Sequence, residues 1–224
     1  MSLEIFYIIF EISNFLAIVI VLMAFIPFKG RNFESRIIGV ASLIMVATYL
    51  ILISFTFHGK EVNIPQSVAV VLIVITLALL YHISLQRRYS HFFFISTAVF
   101  FIFSVCNLFF WQKDENNSYT DAIGSFLLII YGIMYLYRLL VDLPVQQLHT
   151  VPMFWFNAAI LIYRAGALFL FLFTHYLVKV LNNDLLIYWT FHNILAIVHQ
   201  IVITIGLWQD LRNTKLRSLS PSVP

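Results

Sequence analysis

Residues 64–85 read IPQSVAVVLIVITLALLYHISL and contain no Asp, Glu, Lys or Arg side chain. A helix rises about 1.5 Å per residue, so about 20 residues cross the roughly 30 Å hydrocarbon core of a bilayer. A lone strand would leave its backbone polar groups unsatisfied in lipid, and the alternation of polar and apolar residues typical of membrane barrels is missing. The stretch therefore predicts a transmembrane helix.

Six further apolar stretches of similar length lie on either side of this one. Together they predict an all-α integral membrane protein, with seven transmembrane helices in a single bundle over residues 1–209. Residues 210–224 end in Ser-Pro-Ser-Val-Pro and are predicted to form a short, disordered cytoplasmic tail. The predicted helices cover about residues 5–28, 36–57, 64–85, 91–111, 120–140, 153–177 and 185–209.

The composition also indicates a protein that is embedded in a lipid bilayer. Of its 224 residues, 62% are hydrophobic and 10% are charged, whereas soluble domains have about 45–50% apolar and about 25% charged residues. The formal net charge of +3 is too small to indicate nucleic-acid binding. Because Cys106 is the single cysteine, an intramolecular disulfide is impossible and a cysteine metal cluster is not expected.

The short connections between the helices predict the orientation of the bundle, because cytoplasmic loops carry an excess of Lys and Arg. The first, third and fifth connections and the tail would hold nine such residues: Lys29, Arg31, Arg36, Arg87, Arg88, Arg138, Arg212, Lys215 and Arg217. The other side would hold three: Lys60, Lys113 and Lys179. This bias predicts a cytoplasmic C-terminus and, for seven helices, an N-terminus outside.

Arg164 is the most deeply placed charge in the predicted bundle. It lies 11 residues past Met153, about 16 Å into the sixth helix, where a charge costs about 2.5–3.5 kcal/mol on insertion scales. Helical spacing places it on one stripe with Asn157, which we expect to face inward. Its predicted partner is Glu11 of the first helix, with Asn14 completing the hydrogen bonding. Two interpretations stay open: an ion pair that fixes helix packing, or an anion-binding or switchable pair.

The seventh helix contains a second polar set. His192 and His199 are seven residues apart on one face, and Asn193 adjoins them. The alternatives are satisfied interior histidines, lining of a pocket, and proton-linked sensing. Gly206 continues the same stripe and would let a neighbouring helix approach closely. Asn107, near the outer end of the fourth helix, either joins this polar set or makes an ordinary hydrogen bond between helices.

These side chains are concentrated in the predicted outer half of the bundle. A cavity lined in this way would accept a small polar or anionic ligand. The candidate binding residues are Glu11, Asn14, Asn107, Asn157, Arg164, His192, Asn193 and His199.

Familiar membrane chemistries are not indicated by the residues. Retinal attachment needs a lysine within a helix, whereas all five lysines lie in predicted connections or the tail. Zinc hydrolases use histidines at i and i+4 together with acids, but His192 and His199 are at i and i+7. Lysoplasmalogenase-like enzymes would need more intramembrane acids than Glu11, and no histidine pair has a haem motif. We predict no catalytic residues, no metal site and no cofactor.

Two aromatic segments carry a loose resemblance to known proteins. Residues 152–157, PMFWFN, lead to Ile-Tyr at 162–163, and residues 189–194, WTFHNI, lead to Gly-Leu-Trp at 206–208. Together they resemble a group of small, uncharacterised bacterial seven-helix proteins. Those in turn resemble the membrane sensor portions of histidine kinases, detached from the kinase. The likeness covers the whole chain in layout and its last third in residues, and Arg164 departs from the uncharged residue expected there. It implies a sensory or signalling role.

We therefore predict a non-enzymatic membrane sensor or signalling subunit that binds a small ligand or senses the state of the membrane. Its partners would be the lipid bilayer and a separate signalling protein such as a kinase or regulator. The alternative is a small transporter or channel with Glu11 and Arg164 in its pathway, and the third candidate is a membrane enzyme that acts on lipid. The resemblance implies a bacterial inner membrane as the location.

Overall fold

The computed structural model describes residues 3–25, 30–111, 118–142, 148–179 and 186–219. Within these ranges the chain forms seven α-helices, each long and apolar enough to cross a membrane. They are α1 (Leu3–Phe25), α2 (Phe33–Phe57), α3 (Asn63–Ser84), α4 (Ser90–Cys106), α5 (Ser118–Asp142), α6 (Pro152–Lys179) and α7 (Leu186–Leu219). A π-helical turn (Asn107–Trp111) extends α4, and a 3-10 turn (Leu148–Thr150) precedes α6. The predicted seven-helix architecture is confirmed.

The last helix differs most from its prediction. It continues to Leu219, so residues 210–219 are helical and do not belong to the predicted disordered tail. The physical reason is that Asp210 and Thr214 are held against the segment between α1 and α2, as described below. Residues 220–224, the remainder of the predicted tail, lie outside the described residues.

Six of the helices close into a ring. α1 packs against α2 and α7, α3 packs against α2 and α5, and α6 packs against α5 and α7. α4 lies outside this ring, on α3 and α5. We call the end of the bundle at which α1, α3, α5 and α7 begin the upper end, and the opposite end the lower end.

Large aromatic side chains fill the lower half of the ring. Tyr81, Tyr131 and Phe156 are fully buried. The Tyr81 hydroxyl donates to Asn157 Oδ1 at 2.8 Å, and the Tyr131 hydroxyl lies 2.6 Å from Ser96 Oγ. Each phenol thus buries its ring and still hydrogen-bonds its polar tip. This packing closes the lower half of the bundle around its axis.

Apolar side chains also cover the outside of the bundle. Phe94, Phe110 and Leu140 are 78%, 80% and 74% exposed, respectively. Soluble monomers rarely expose apolar surface of this extent. The exterior therefore supports the prediction of a membrane protein.

Close approach of α6 and α7 depends on glycine. A Cβ atom at Gly206 would lie 2.5 Å from Cε1 of the buried Phe156, and one at Gly166 would lie 2.7 Å from Cδ1 of Leu195. Both distances are too short for a real side chain. The predicted close approach at Gly206 is confirmed.

A buried ion pair, which the sequence analysis missed, lies at the lower end. Arg31 Nη1 is 3.3 Å from Asp210 Oδ2, and both side chains are fully buried. The same Nη1 donates to the Leu207 carbonyl oxygen at 2.6 Å, and Nη2 donates to the carbonyl oxygen of Met23. Burial lowers the pKa of Arg31, and the neighbouring Asp210 carboxylate opposes that shift. Arg31 thereby connects the end of α1 to α7.

A hydrogen bond from Thr214 strengthens this connection. Thr214 Oγ1 lies 3.1 Å from the carbonyl oxygen of Gly30 and 2.9 Å from that of Asp210. We call Gly30, Arg31, Asp210 and Thr214 the lower clamp. It explains why α7 stays helical beyond its predicted end.

Candidate functional site

A cavity of about 180 Å³ lies within the ring, between α2, α3, α5, α6 and α7. We call it the central cavity. Ile160 and Ile203 belong to its wall toward the lower end, and Trp189 belongs to its wall toward the upper end. The polar part of its lining includes Gln66, Asp121, Tyr163, Arg164, His192 and His199.

Arg164 reaches this cavity from the middle of α6. It is buried, as is Asn157 two turns earlier on the same helix, so the predicted inward stripe is confirmed. Arg164 Nη1 lies 3.4 Å from Ser125 Oγ, and its Cζ atom lies 5.4 Å from the centroid of the Tyr163 ring. A guanidinium has five N–H donors. One weak hydrogen bond and one cation–π contact leave most of this capacity for other acceptors.

Asp121 is the acid that shares the central cavity with Arg164, and sequence reasoning missed it. It lies in the first turn of α5 and is 8% exposed. Asp121 lies one residue inside the predicted start of the fifth helix at residue 120, and the sequence analysis gave it no role. A usable signal was present, since Asp121, Ser125 and Leu128 follow an i, i+4, i+7 spacing, and all three are buried.

The two charges face the cavity without contacting each other. In the described part of the chain, neither a hydrogen bond nor an ion pair within 4.0 Å joins Asp121 to Arg164. They do interact electrostatically. The central cavity therefore presents a buried cation and a buried carboxyl group, each with capacity for a further partner.

Aromatic and imidazole rings form one side of the same cavity. The Tyr163 hydroxyl lies 3.3 Å from His192 Nε2, and the Tyr163 ring centroid lies 5.1 Å from that of His199. The Trp189 ring packs edge-on against His192 at 5.6 Å. The prediction that His192 and His199 share an inward face is thus confirmed. No group of three or more His, Cys, Asp or Glu side chains is placed to share a metal ion within the described ranges.

A second cavity, of about 160 Å³, adjoins the first between α1, α2, α6 and α7. We call it the side cavity. Tyr163 and His192 line both cavities and separate them. Two predicted site residues, Asn14 and Asn193, line the side cavity together with Gln200. The buried Oε1 atom of Gln200 has no hydrogen-bond partner among the residues that the structure describes.

Glu11 is not part of this site, and the structure does not pair it with Arg164. Its side chain is exposed on α1, where its charge acts on Tyr49 of α2. The buried face of α1 contains Ser13, Ala17 and Ile20. Glu11 precedes Ser13 by two residues, about 200° around the helix. Glu11 is exposed and lines neither the central cavity nor the side cavity.

The two remaining candidates contact other helices outside the cavities. Asn107 is buried in the π-helical turn, and its Nδ2 donates to Thr120 Oγ1 at 3.1 Å. This is the interhelical hydrogen bond that the sequence analysis gave as one of two interpretations. Asn157 accepts from Tyr81, on the lower side of the central cavity. Both residues organise the core around the site.

A larger groove, of about 370 Å³, lies on the outside of the bundle between α3 and α4. Its lining includes Phe93, Phe94 and Phe101, with no acidic side chain, Lys or Arg. A surface of this kind suits lipid acyl chains. The central cavity is the stronger candidate site because it combines an apolar wall with convergent polar groups.

Comparisons of the chain with protein-family models, with curated proteins and with solved structures find no match. The resemblance to sensor portions of histidine kinases therefore stays a prediction.

Proposed function

We propose that this protein is a membrane sensor subunit that binds a small polar ligand in the central cavity and acts through a separate protein. The observation that carries the proposal is the pair formed by Asp121 and Arg164. Both are buried and face one cavity, yet neither contacts the other. Buried charges are normally paired, so this arrangement is most readily explained by a partner from outside the chain.

The shape of the interior favours a binding site over a transport pathway. Beyond Ile160 and Ile203, the fully buried side chains of Tyr81, Phe156 and Leu207 close the bundle toward its lower end. Glu11, the acid expected in a transport pathway, is exposed on the outside. Reception of a ligand from the upper end fits this arrangement, and transport is an outcome that the experiment below detects.

The proposal places the upper end of the bundle outside a bacterial inner membrane and the lower end in the cytoplasm. Its support is the excess of nine Lys and Arg residues over three between the two sides. Single cysteines at Lys60 and Arg87, in a Cys106→Ser background, test this placement with a membrane-impermeant maleimide on intact cells. Labelling at residue 60 and protection at residue 87 are expected. The reverse pattern would contradict the orientation.

The surface through which the sensor acts is proposed at the lower end. Arg87 and Arg88 are exposed in the turn between α3 and α4. Arg138 of α5 donates to Gln86 Oε1 of the same turn at 2.5 Å, which connects this turn to a helix that lines the cavity. A separate kinase or regulator is the class of partner that the resemblance implies.

The decisive test of the proposal is a search for a molecule bound in the central cavity. Protein purified gently into nanodiscs is examined by native mass spectrometry as wild type, as Arg164→Met and as Arg212→Met. Arg212→Met is the matched control, because it removes the same charge from an exposed position at the lower end of α7. A small molecule present in wild type and Arg212→Met but lost from Arg164→Met is expected.

Two results would contradict the proposal. If no small molecule is bound and no cellular small-molecule extract stabilises the wild-type protein, the cavity is not a ligand site. If the bound molecule crosses liposomes that contain the protein, and Arg164→Met abolishes this flux, the protein is a transporter.

A further inference from the structure

The central cavity carries two opposite charges, and we propose that its ligand is a small zwitterion, a free α-amino acid with an apolar side chain. Its carboxylate would bind Arg164 and its ammonium group would bind Asp121. This inference rests on the proposed ligand site and goes further by naming the chemical class of the ligand.

The first argument is the balance of charge. Asp121 and Arg164 are 8% and 7% exposed, and they line the same cavity without an ion pair between them. A simple anion would be attracted by Arg164 and repelled by Asp121. A simple cation would be attracted by Asp121 and repelled by Arg164. A ligand of one sign also leaves the other buried charge without a partner, which is unfavourable. A zwitterion satisfies both groups.

The second argument is the separation of the two charges. Arg164 contacts Ser125 of α5, and Asp121 is four residues before Ser125, about 6 Å further toward the upper end. In an α-amino acid, the nitrogen and the carboxylate carbon are roughly 2.5 Å apart. With a hydrogen bond of about 2.9 Å at each end, the molecule spans up to about 8 Å. An α-amino acid is therefore long enough to contact both Arg164 and Asp121, with its carboxylate toward the lower end of the bundle and its ammonium group toward the upper end.

The third argument is the size and lining of the cavity. Its volume is about 180 Å³, and an apolar cavity of about 150 Å³ holds a benzene molecule. By this ratio the ligand has roughly seven non-hydrogen atoms, close to the eight of valine and the nine of leucine. Val70, Ile73 and Leu77 of α3 form an apolar wall, which suits an aliphatic side chain. An amino acid of the size of leucine or smaller satisfies these limits.

An ethanolamine phospholipid presents the same chemistry, since its headgroup combines an anion with an ammonium group. The small cavity favours the free amino acid, because a lipid brings two acyl chains with it. Nanodiscs prepared with and without phosphatidylethanolamine distinguish the two sources.

The test compares L-leucine with two analogues that keep its side chain. Leucinamide retains only the ammonium charge, and 4-methylpentanoate retains only the carboxylate. Binding is measured as ligand-induced stabilisation of the wild-type protein in nanodiscs that lack phosphatidylethanolamine. L-Leucine is expected to bind at least about tenfold more tightly than either analogue, because each analogue loses a charge-assisted hydrogen bond.

Two variants test which residue binds the ammonium group of the ligand and which binds its carboxylate. Asp121→Asn is expected to remove the preference for L-leucine over 4-methylpentanoate, and Arg164→Met the preference for L-leucine over leucinamide. Glu11→Gln is the matched control, since it neutralises an acid outside the cavity and should leave both preferences unchanged. The wild-type comparison stands even if a variant fails to fold.

The possible failures are distinguishable. Equal binding of L-leucine and 4-methylpentanoate to wild type would overturn the zwitterion while leaving a ligand site intact. Stabilisation by a cellular small-molecule extract, but by none of the three probes, would have the same meaning. Stabilisation by phosphatidylethanolamine that depends on Arg164 and excludes L-leucine would overturn the free amino acid in favour of a lipid. No stabilisation by either probes or extract would overturn the zwitterion and the proposed function together.

Discussion

The lower clamp and the central cavity each contain a buried arginine and a buried aspartate, but the two side chains form an ion pair only in the clamp. At the lower clamp, Arg31 and Asp210 are 3.3 Å apart, and two backbone carbonyls accept further hydrogen bonds from Arg31. In the central cavity, Arg164 has one weak hydrogen bond to Ser125 and no direct contact with Asp121. The first arrangement pairs the two charges directly and connects helices, although within the described residues the buried Arg31 Nε and Asp210 Oδ1 atoms have no hydrogen-bond partner. The second arrangement leaves both charged groups facing a cavity without an ion pair between them, as the proposed ligand site requires.

The largest effect is expected from breaking the lower clamp. Asp210→Asn should reduce the free energy of unfolding by about 3–5 kcal/mol, because Arg31 then stays buried without a countercharge. Denaturant titration in mixed micelles measures this change. The double variant Arg31→Met/Asp210→Leu should recover most of the loss, since it buries no charge at all. A loss below about 1 kcal/mol in Asp210→Asn would mean that the clamp is not a stabilising pair.

The corresponding double replacement in the central cavity should act in the opposite direction. Arg164→Met/Asp121→Asn is expected to raise the free energy of unfolding by roughly 1–2 kcal/mol, because functional sites commonly keep groups that do not stabilise the fold. The same titration, performed on ligand-free protein, measures it. A decrease of more than about 1 kcal/mol would show that Asp121 and Arg164 stabilise helix packing.

The same contrast shows which features of the structure could be predicted from the sequence. The number of helices follows from the number of long apolar stretches, because a bilayer requires about 20 residues per span. Residues 64–85 alone are long enough for one such span. The inward direction of Arg164 follows from its depth and from helical spacing with Asn157. These inferences need only one helix at a time, and the structure confirms them.

The partners of these residues depend on which helices are neighbours, and no single helix encodes that. Glu11 was the predicted partner of Arg164 because it is the only acid well inside a predicted helix, but α1 packs on α2 and α7 and leaves Glu11 exposed. Asp121 and Asp210 lay at the edges of predicted helices, where charged residues usually face the interface. Both are buried because the first turn of α5 faces the interior of the ring and because α7 continues past Asp210, which Arg31 contacts.

A smaller effect is expected at the edge of the lower clamp. Thr214→Val removes the hydroxyl group that donates to the Gly30 carbonyl oxygen while keeping the shape of the side chain. The free energy of unfolding should fall by about 1 kcal/mol, the net value of one hydrogen bond. Thr56→Val is the matched control, because the Thr56 hydroxyl donates to the Leu52 carbonyl oxygen of its own helix and the residue is exposed. Equal losses in the two variants would show that Thr214 adds nothing to the clamp.

The smallest effect is expected at Glu11. Glu11→Gln should change the free energy of unfolding by no more than about 0.5 kcal/mol, because the exposed side chain has no part in either arginine–aspartate arrangement. Ligand-induced stabilisation should also be unchanged. The measurements of ligand preference distinguish Asp121 from Glu11 as the acid that acts together with Arg164. If the acid is Asp121, only Asp121→Asn alters ligand preference. If Glu11→Gln alters it as well, then α1 must turn Glu11 inward in the ligand-bound state, and the predicted Glu11–Arg164 pair would belong to that state.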